Sequence, residues 1–181
     1  MDSINLTSRL AQADDLPALN ALMSRAIEQL QQEFLSPEQV CASHQVMGLD
    51  TQLVKDQTYF LVEAEGQIVG CGGWSWRATL FGGDSSIVTR EPAPLDPVTD
   101  AAKIRAMYTH PDLVRRGIGS KILNLCEDAA RTAGFAKVEM MATLAGAPLY
   151  RACGYTDIEP FEAVSREGVT VPMIKMGKYF I

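Results

Sequence analysis

The segment Asp112–Leu123, "DLVRRGIGSKIL", places two adjacent arginines before two glycines that are separated by one residue, at the start of an apolar helical pattern. Gly117 and Gly119 have no side chains to cover the first backbone N–H groups of that helix, which lack intrahelical acceptors. Such a helix N-terminus favours an anion, and Arg115 and Arg116 add positive charge. The segment therefore predicts a site for a ligand that carries phosphate groups.

Other interpretations of the same glycines fit less well. A dinucleotide-binding G-x-G-x-x-G motif needs a third glycine for close helix–strand packing, where this chain has Ile122. A nucleotide P-loop needs G-K-[ST], whereas the order here is Gly119, Ser120, Lys121. A solvated basic corner, with glycines that only ease a turn, is the structural alternative.

The composition predicts one domain over residues 1–181, since 47% hydrophobic and 21% charged residues are typical of a globular chain. A net charge of −6 argues against a nucleic-acid partner. We expect no membrane partner, because the chain has no long uninterrupted apolar stretch. The first residues, "MDSINLTSRLAQADD", lack the features of a signal peptide, so a cytoplasmic location is expected.

No metal site is expected. The four cysteines and the two histidines are all isolated in the sequence, whereas zinc ligands usually occur in close pairs. The residues concerned are Cys41, Cys71, Cys126, Cys153, His44 and His110.

The order of elements predicts an α/β fold with a mixed sheet and helices on both faces. Strands are predicted from "INLTSRLA", from a hairpin over Tyr59–Ala64 and Gln67–Trp76, and from "AAKIRAMYT", "AKVEMMA", "TDIEPFEAV" and "VTVPMIKMGK". Helices are predicted over "ADDLPALNALMSRAIEQL", from "SPEQV", from Gly117 onward and over "GAPLYRACG". The helix from Gly117 is expected to bury Ile118, Ile122, Leu125, Cys126, Ala129 and Ala133. The loop Phe81–Asp100 is longer than the usual connection, and loops of this length tend to be functional or mobile.

Two stretches resemble motifs of the GNAT superfamily of N-acetyltransferases, which bind acetyl-CoA. The stretch "MYTHPDLVRRGIGSKIL" is similar to the superfamily pattern of a strand, a Pro and [Q/R]-x-x-G-x-[G/A], except that Val114 occupies the [Q/R] position. The stretch "APLYRACGY" resembles A-x-x-[FL]-Y-x-x-x-G-[FY], and Thr143 stands where an Asn is common. The likeness covers nearly the whole chain and is weakest over Leu80–Asp100.

The resemblance implies a GNAT-like sheet that is mostly antiparallel, of about six to seven strands with one splayed parallel pair, flanked by about four helices. It implies acetyl-CoA as co-substrate and no metal. It also implies that backbone groups of Met107 and Thr109 pair with the pantetheine arm and that one amide polarises the thioester. The cofactor-binding residues that it implies are Met107, Tyr108, Thr109, Val114, Arg115, Arg116, Gly117, Ile118, Gly119 and Ser120.

Tyr150 is the implied catalytic acid, because a phenol is protonated near neutrality and can donate to the CoA thiolate. A packing role for Tyr150, or a hydrogen bond to the sulfur without proton transfer, is the alternative. The acceptor is expected to be a small-molecule or peptide amine, and the resemblance suggests a homodimer. We expect the loop Phe81–Asp100 to line the acceptor site, because it precedes the cofactor-binding strand and is too long for a simple connection. The candidates for a general base, none preferred, are Glu63, Glu91, Asp100, Glu139 and His110. A non-catalytic acyl-CoA-binding module and a dinucleotide-binding module are the competing functions.

Overall fold

A single mixed sheet of seven strands forms the centre of the computed structural model, which describes residues 4–180. The strands are β1 (Leu6–Leu10), β2 (Tyr59–Ala64), β3 (Gln67–Ser75), β4 (Ala102–Thr109), β5 (Lys137–Thr143), β6 (Thr156–Val164) and β7 (Thr170–Tyr179). They lie in the order β1-β2-β3-β4-β5-β7-β6, and within residues 4–180 β4 and β5 are the one parallel pair. The predicted sheet, mostly antiparallel with a single parallel pair, is confirmed.

The parallel pair separates soon after it forms. β4 and β5 pair at two positions, Ala102 with Val138 and Lys103 with Glu139. β4 then stays paired with β3 as far as Thr109, and β5 stays paired with β7 along its whole length. A wedge-shaped gap therefore opens between the carboxyl ends of β4 and β5, and the predicted splay is confirmed.

Within residues 4–180, five α-helices flank the sheet, where about four were expected. They are α1 (Leu16–Leu30), α2 (Pro37–Ser43), α3 (Thr51–Lys55), α4 (Ile118–Thr132) and α5 (Ala147–Ala152), of which the short α3 was not predicted. α2 begins as predicted, since the Ser36 hydroxyl accepts a hydrogen bond from the Gln39 N–H at 3.2 Å. On one face of the sheet α4 buries Ile118, and on the other α1 buries Leu19.

The buried face of α4 differs from the predicted one. Leu125 and Ala129 are half-buried and Ala133 is exposed, whereas Leu123 and Ala130 are fully buried. Residues spaced four positions apart, from Ile118 to Ala130, lie on the face of α4 that packs on the sheet. Leu123 lies beside this row. The prediction placed Leu125 and Ala129 beside this buried row, whereas the structure places Leu123 there.

The long connection between β3 and β4 is anchored by buried charges. The Asp50 carboxylate lies 2.7 Å from an Arg105 nitrogen on β4 and 2.9 Å from an Arg90 nitrogen in the connection. Arg90 also lies 2.8 Å from Asp84. The Asp50 side chain is completely buried. These ion pairs tie the loop Phe81–Asp100 to β4 and to the start of α3, because the Asp50 side chain also caps that helix.

Candidate active site

The turn between β4 and α4 leaves backbone donors at the wide end of the gap. A short 3-10 turn, Pro111–Leu113, follows β4, and the chain then takes left-handed backbone angles at Arg115 (φ 65°) and Gly117 (φ 80°) before α4 begins. No side chain caps α4, and within residues 4–180 no backbone acceptor pairs with the N–H groups of its first residues, Ile118–Ser120. These N–H groups, together with the positive end of the helix dipole, can hold an anion.

The two glycines of this turn, Gly117 and Gly119, have different structural roles. A Cβ atom on Gly117 would meet no atom within 4 Å, so the space in front of the backbone is open and the positive φ is the reason for glycine. A Cβ atom on Gly119 would lie 2.6 Å from Leu149 Cδ2, so this glycine lets α5 approach α4. Open access to the backbone was predicted at both positions, and at Gly119 close packing of Leu149 is a further cause.

The edge of β4 that faces the gap offers backbone groups to a ligand. The His110 N–H donates to Val69 O on β3 at 2.8 Å, and because successive residues of a strand point to opposite edges, the Thr109 N–H faces the gap. The register between β3 and β4 shifts next to Ala106, which has a φ of 52°. This β-bulge turns the end of β4. The Ala106 carbonyl accepts a hydrogen bond from the buried Tyr59 hydroxyl at 2.6 Å.

Tyr150 lies on α5, across the gap from β4. Its position depends on Gly146, since a Cβ atom there would lie 2.8 Å from Tyr150 Cε2. The Thr143 hydroxyl accepts from the Gly146 N–H at 3.0 Å, so the residue at the usual Asn position orients the start of α5. Burial raises the pKa of the Tyr150 phenol well above its usual value, and the thiols of Cys126 and Cys153 raise it further. The phenol therefore stays protonated over the physiological range.

One cavity of about 630 Å³ connects the turn, the gap and Tyr150. Nine of the ten predicted cofactor-binding residues line it: Met107, Tyr108, Thr109, Val114, Arg115, Gly117, Ile118, Gly119 and Ser120. Arg116 does not, because its exposed side chain follows the left-handed turn at Arg115 and lies outside the wall. Within residues 4–180, neither Arg115 nor Arg116 forms an ion pair with a carboxylate. Their charge is therefore available to a ligand.

The rest of the wall includes residues that sequence reasoning missed. They come mainly from the end of α1 and the segment after it: Ala26, Ile27, Leu30, Gln31, Glu33, Phe34 and Met47. A signal was present in the sequence, because Gln31 is a polar residue four positions after Ile27, in the apolar stripe of α1. The loop Phe81–Asp100, expected to line the acceptor site, contributes no residue to this wall.

The five candidates for a general base all lie outside the cavity wall. Glu63 is paired with Arg9 at 2.9 Å, and Glu139 is paired with Lys103 at 2.9 Å. His110 Nε2 lies 3.0 Å from an Arg25 nitrogen. Asp100 and Glu91 belong to the anchored loop. Within residues 4–180, the one carboxylate in the wall is that of Glu33, which was not predicted.

Comparison with known families supports this geometry. A family model described as the acetyltransferase (GNAT) family matches residues 22–155 of the chain. The chain belongs to this family. The match spans α4 and its glycine turn, the gap and α5, so the cavity lies in the region that defines a GNAT domain. The predicted family membership is confirmed.

Solved structures share the fold of this GNAT domain at low sequence identity. A GCN5-related N-acetyltransferase from Rhodopseudomonas palustris superposes with a TM-score of 0.74 at 17% identity, covering 99% of both chains. A ribosomal-protein-alanine N-acetyltransferase from Brucella melitensis gives 0.64 at 18% identity, covering 96% of this chain and 99% of its own. The PaiA N-acetyltransferase from Thermoplasma acidophilum, in complex with coenzyme A, gives 0.63 at 11% identity, covering 98% and 100%. No curated protein matches the sequence.

In the part of the chain that the structure describes, no group of three or more His, Cys, Asp or Glu side chains is arranged to hold a metal ion. Over the same residues, none of the helices combines the length and the apolar character that a bilayer crossing requires.

Proposed function

We propose that this protein transfers an acetyl group from acetyl-CoA to a primary amine, by direct attack of the amine on the thioester. The observation that carries the proposal is the single cavity that joins an uncapped helix N-terminus, an unpaired strand edge and a buried phenol. Each of these three features serves a different part of an acyl-CoA thioester.

The turn before α4 would bind the pyrophosphate. Its free N–H groups would donate to the phosphate oxygens, and Arg115 would contribute charge from the cavity wall. Each hydrogen bond to a charged acceptor is worth about 1.5–3 kcal/mol, so a few of them are enough for a micromolar ligand. Val114 would take part through its backbone alone, since its side chain is apolar.

The edge of β4 would bind the pantetheine arm as an added strand. The gap leaves the edge of β4 beyond Lys103 without a partner strand, and an amide-containing arm can supply the missing hydrogen bonds. The N–H of Met107 or Thr109 would then point at the thioester carbonyl and stabilise the negative charge that develops on its oxygen. The bulge at Ala106 sets the direction of this part of the strand.

Tyr150 would act on the sulfur. The ammonium form of the amine first loses a proton to water, because only the neutral nitrogen has the lone pair that attacks. That nitrogen forms the C–N bond, the C–S bond breaks, and the sulfur leaves with the bonding electrons. Tyr150 donates a hydrogen bond, and on full transfer a proton, to that sulfur, while the proton that the nitrogen loses after the attack passes to water and restores the phenol. Because burial raises the pKa of Tyr150, the phenol stays protonated and able to donate at the pH at which the neutral amine attacks.

A CoA-release assay across a panel of primary amines tests the proposal, with the thermal shift caused by acetyl-CoA as the binding control. We expect both a raised melting temperature and amine-dependent release. A thermal shift without release from any amine would indicate a non-catalytic acyl-CoA-binding module. A thermal shift with NAD(H) and none with CoA would indicate a dinucleotide-binding module instead.

The expectations about location, assembly and partners stay predictions. A cytoplasmic single domain that forms a homodimer, and that binds no nucleic acid or membrane, is consistent with the proposed activity. Sedimentation of the purified chain measures the assembly directly.

A further inference from the structure

The last turn of α1 builds an end of the cavity that the proposed steps do not use. Arg25 on α1 lies beside the phosphate turn, 3.0 Å from His110 and 3.4 Å from Asp112. A helix rises about 1.5 Å per residue, so Gln31 lies about 9 Å along the axis from Arg25. In the proposed function the turn before α4 and Arg115 serve the phosphates, so the part of the cavity around Gln31 is left for the acceptor.

Gln31 carries an unpaired polar atom into this end. The residue is 4% exposed and lines the cavity. Its side-chain nitrogen lies 3.5 Å from the Met47 sulfur, a weak acceptor, and within residues 4–180 no group donates to its side-chain oxygen. Gln31 Oε1 has no protein donor in the described part of the chain and keeps some solvent access, so it can accept a hydrogen bond from a ligand N–H in the cavity.

The surroundings of Gln31 limit the charge of that ligand. Glu33 is the one carboxylate in the cavity wall of the described chain, and Arg115 is the one cationic side chain. The other wall residues near Gln31 are apolar, namely Leu30, Phe34 and Met47, and Phe34 is 45% exposed at the cavity mouth. A polyamine or an aminoglycoside would bring several charges to an end with a single acid, and each unpaired charge would lose solvation.

We propose that the acceptor is an amine with a single positive charge and an apolar body, whose nitrogen donates to Gln31 Oε1 and whose charge faces Glu33. Gln31 is then a specificity-determining residue for the transfer, and the apolar body packs on Leu30, Phe34 and Met47. This inference rests on the proposed acetyl transfer and adds the class of the acceptor to it.

The test compares 2-phenylethylamine with spermine as acceptors and Gln31→Met with Gln32→Met as variants. Methionine keeps the length of glutamine and removes its oxygen. Gln32 is the matched control, because it lies next to Gln31, is exposed, is absent from the cavity wall and donates to Glu28 O. Calorimetric titration of each amine into the CoA-saturated protein measures acceptor binding independently of turnover.

We expect the wild type to have the higher kcat/KM for 2-phenylethylamine. We expect Gln31→Met to raise the KM and the Kd of that amine at least about tenfold, the loss of one charge-assisted hydrogen bond, with the KM for acetyl-CoA unchanged. Glu33→Gln should raise the KM about threefold, less so in high salt because Glu33 is exposed. Gln32→Met should leave these values as they are.

The outcomes separate this inference from the proposed function. Turnover with equal effects of Gln31→Met and Gln32→Met, or a preference for spermine, overturns the inference and leaves acetyl transfer intact. Amine binding that depends on Gln31, without any CoA release, supports the inference and overturns the transfer. If Gln31→Met does not fold, the wild-type comparison of the two amines decides alone.

Discussion

Replacement of Gly117 by leucine separates ligand binding from backbone strain. Gly117 has a φ of 80° and open space around its missing Cβ, and Gly168, in the turn between β6 and β7, has a φ of 83° and the same open space. Leucine at either position costs about 1–2 kcal/mol, because an L side chain is disfavoured in the left-handed region. In a chain of this size that loss lowers the melting temperature by roughly 2–8 °C. Gly168→Leu is therefore a control with the same strain and no contact with the cavity.

Only Gly117→Leu should weaken binding of acetyl-CoA. A side chain at this position projects into the space where the phosphates would reach the backbone, and the loss of one hydrogen bond to a charged oxygen raises the Kd at least about tenfold. Calorimetric titration measures the Kd, and thermal unfolding without ligand measures the strain. If the two variants lose the same stability and both bind acetyl-CoA as the wild type does, the assignment of the turn to the phosphates is wrong.

The remaining predictions concern Tyr150 and the buried charges. Tyr150→Phe should lower kcat by about 10²-fold with little change in the Kd of acetyl-CoA; an unchanged kcat in the same steady-state assay removes Tyr150 from the mechanism. For wild-type protein, kcat/KM should rise with pH toward about 10, the range in which a lysine-like amine loses its proton. Because burial raises the pKa of Tyr150, ionisation of the phenol should not reverse that rise, and a fall in rate between about pH 8 and 9 would contradict its raised pKa. Asp50→Asn should destabilise the fold by about 3–5 kcal/mol in urea unfolding, since it leaves the buried charge of Arg105 without its partner; a loss below about 1 kcal/mol would show that these ions contribute little.

The sequence predicts the elements whose cause is local. The hairpin of β2 and β3 follows from Glu65 and Gly66, which both take the positive φ of a tight turn. The start of α4 follows from Gly117, and the start of α2 follows from Ser36. In each case one or two residues decide the local backbone, so reading the chain is enough.

Features that depend on contacts between distant segments were not predicted. The bulge at Ala106 has no signal in its own residue type, and the hydrogen bond that its carbonyl accepts comes from Tyr59, far away in the sequence. The approach of Gln31 to the cavity depends on how α1 packs across the sheet. The loop Phe81–Asp100 was predicted to line the acceptor site because of its length; it contributes no residue to the cavity wall, and ion pairs through Arg90 tie it to Asp50 and Asp84.

The separation of β4 from β5 has a mechanical consequence. The sheet has two halves, one of β1 to β4 and the other of β5, β7 and β6, and the strand pairing between them consists of two residue pairs. A thioester arm that forms hydrogen bonds with β4 and lies against β5 would connect the two halves of the sheet. Loading with CoA should then slow amide hydrogen exchange well beyond the residues that touch it, throughout the half of the sheet that carries β5, β6 and β7. Bound CoA would then be a structural component of the sheet as well as a substrate. Each release of CoA would lower the local stability of the sheet until the next molecule binds.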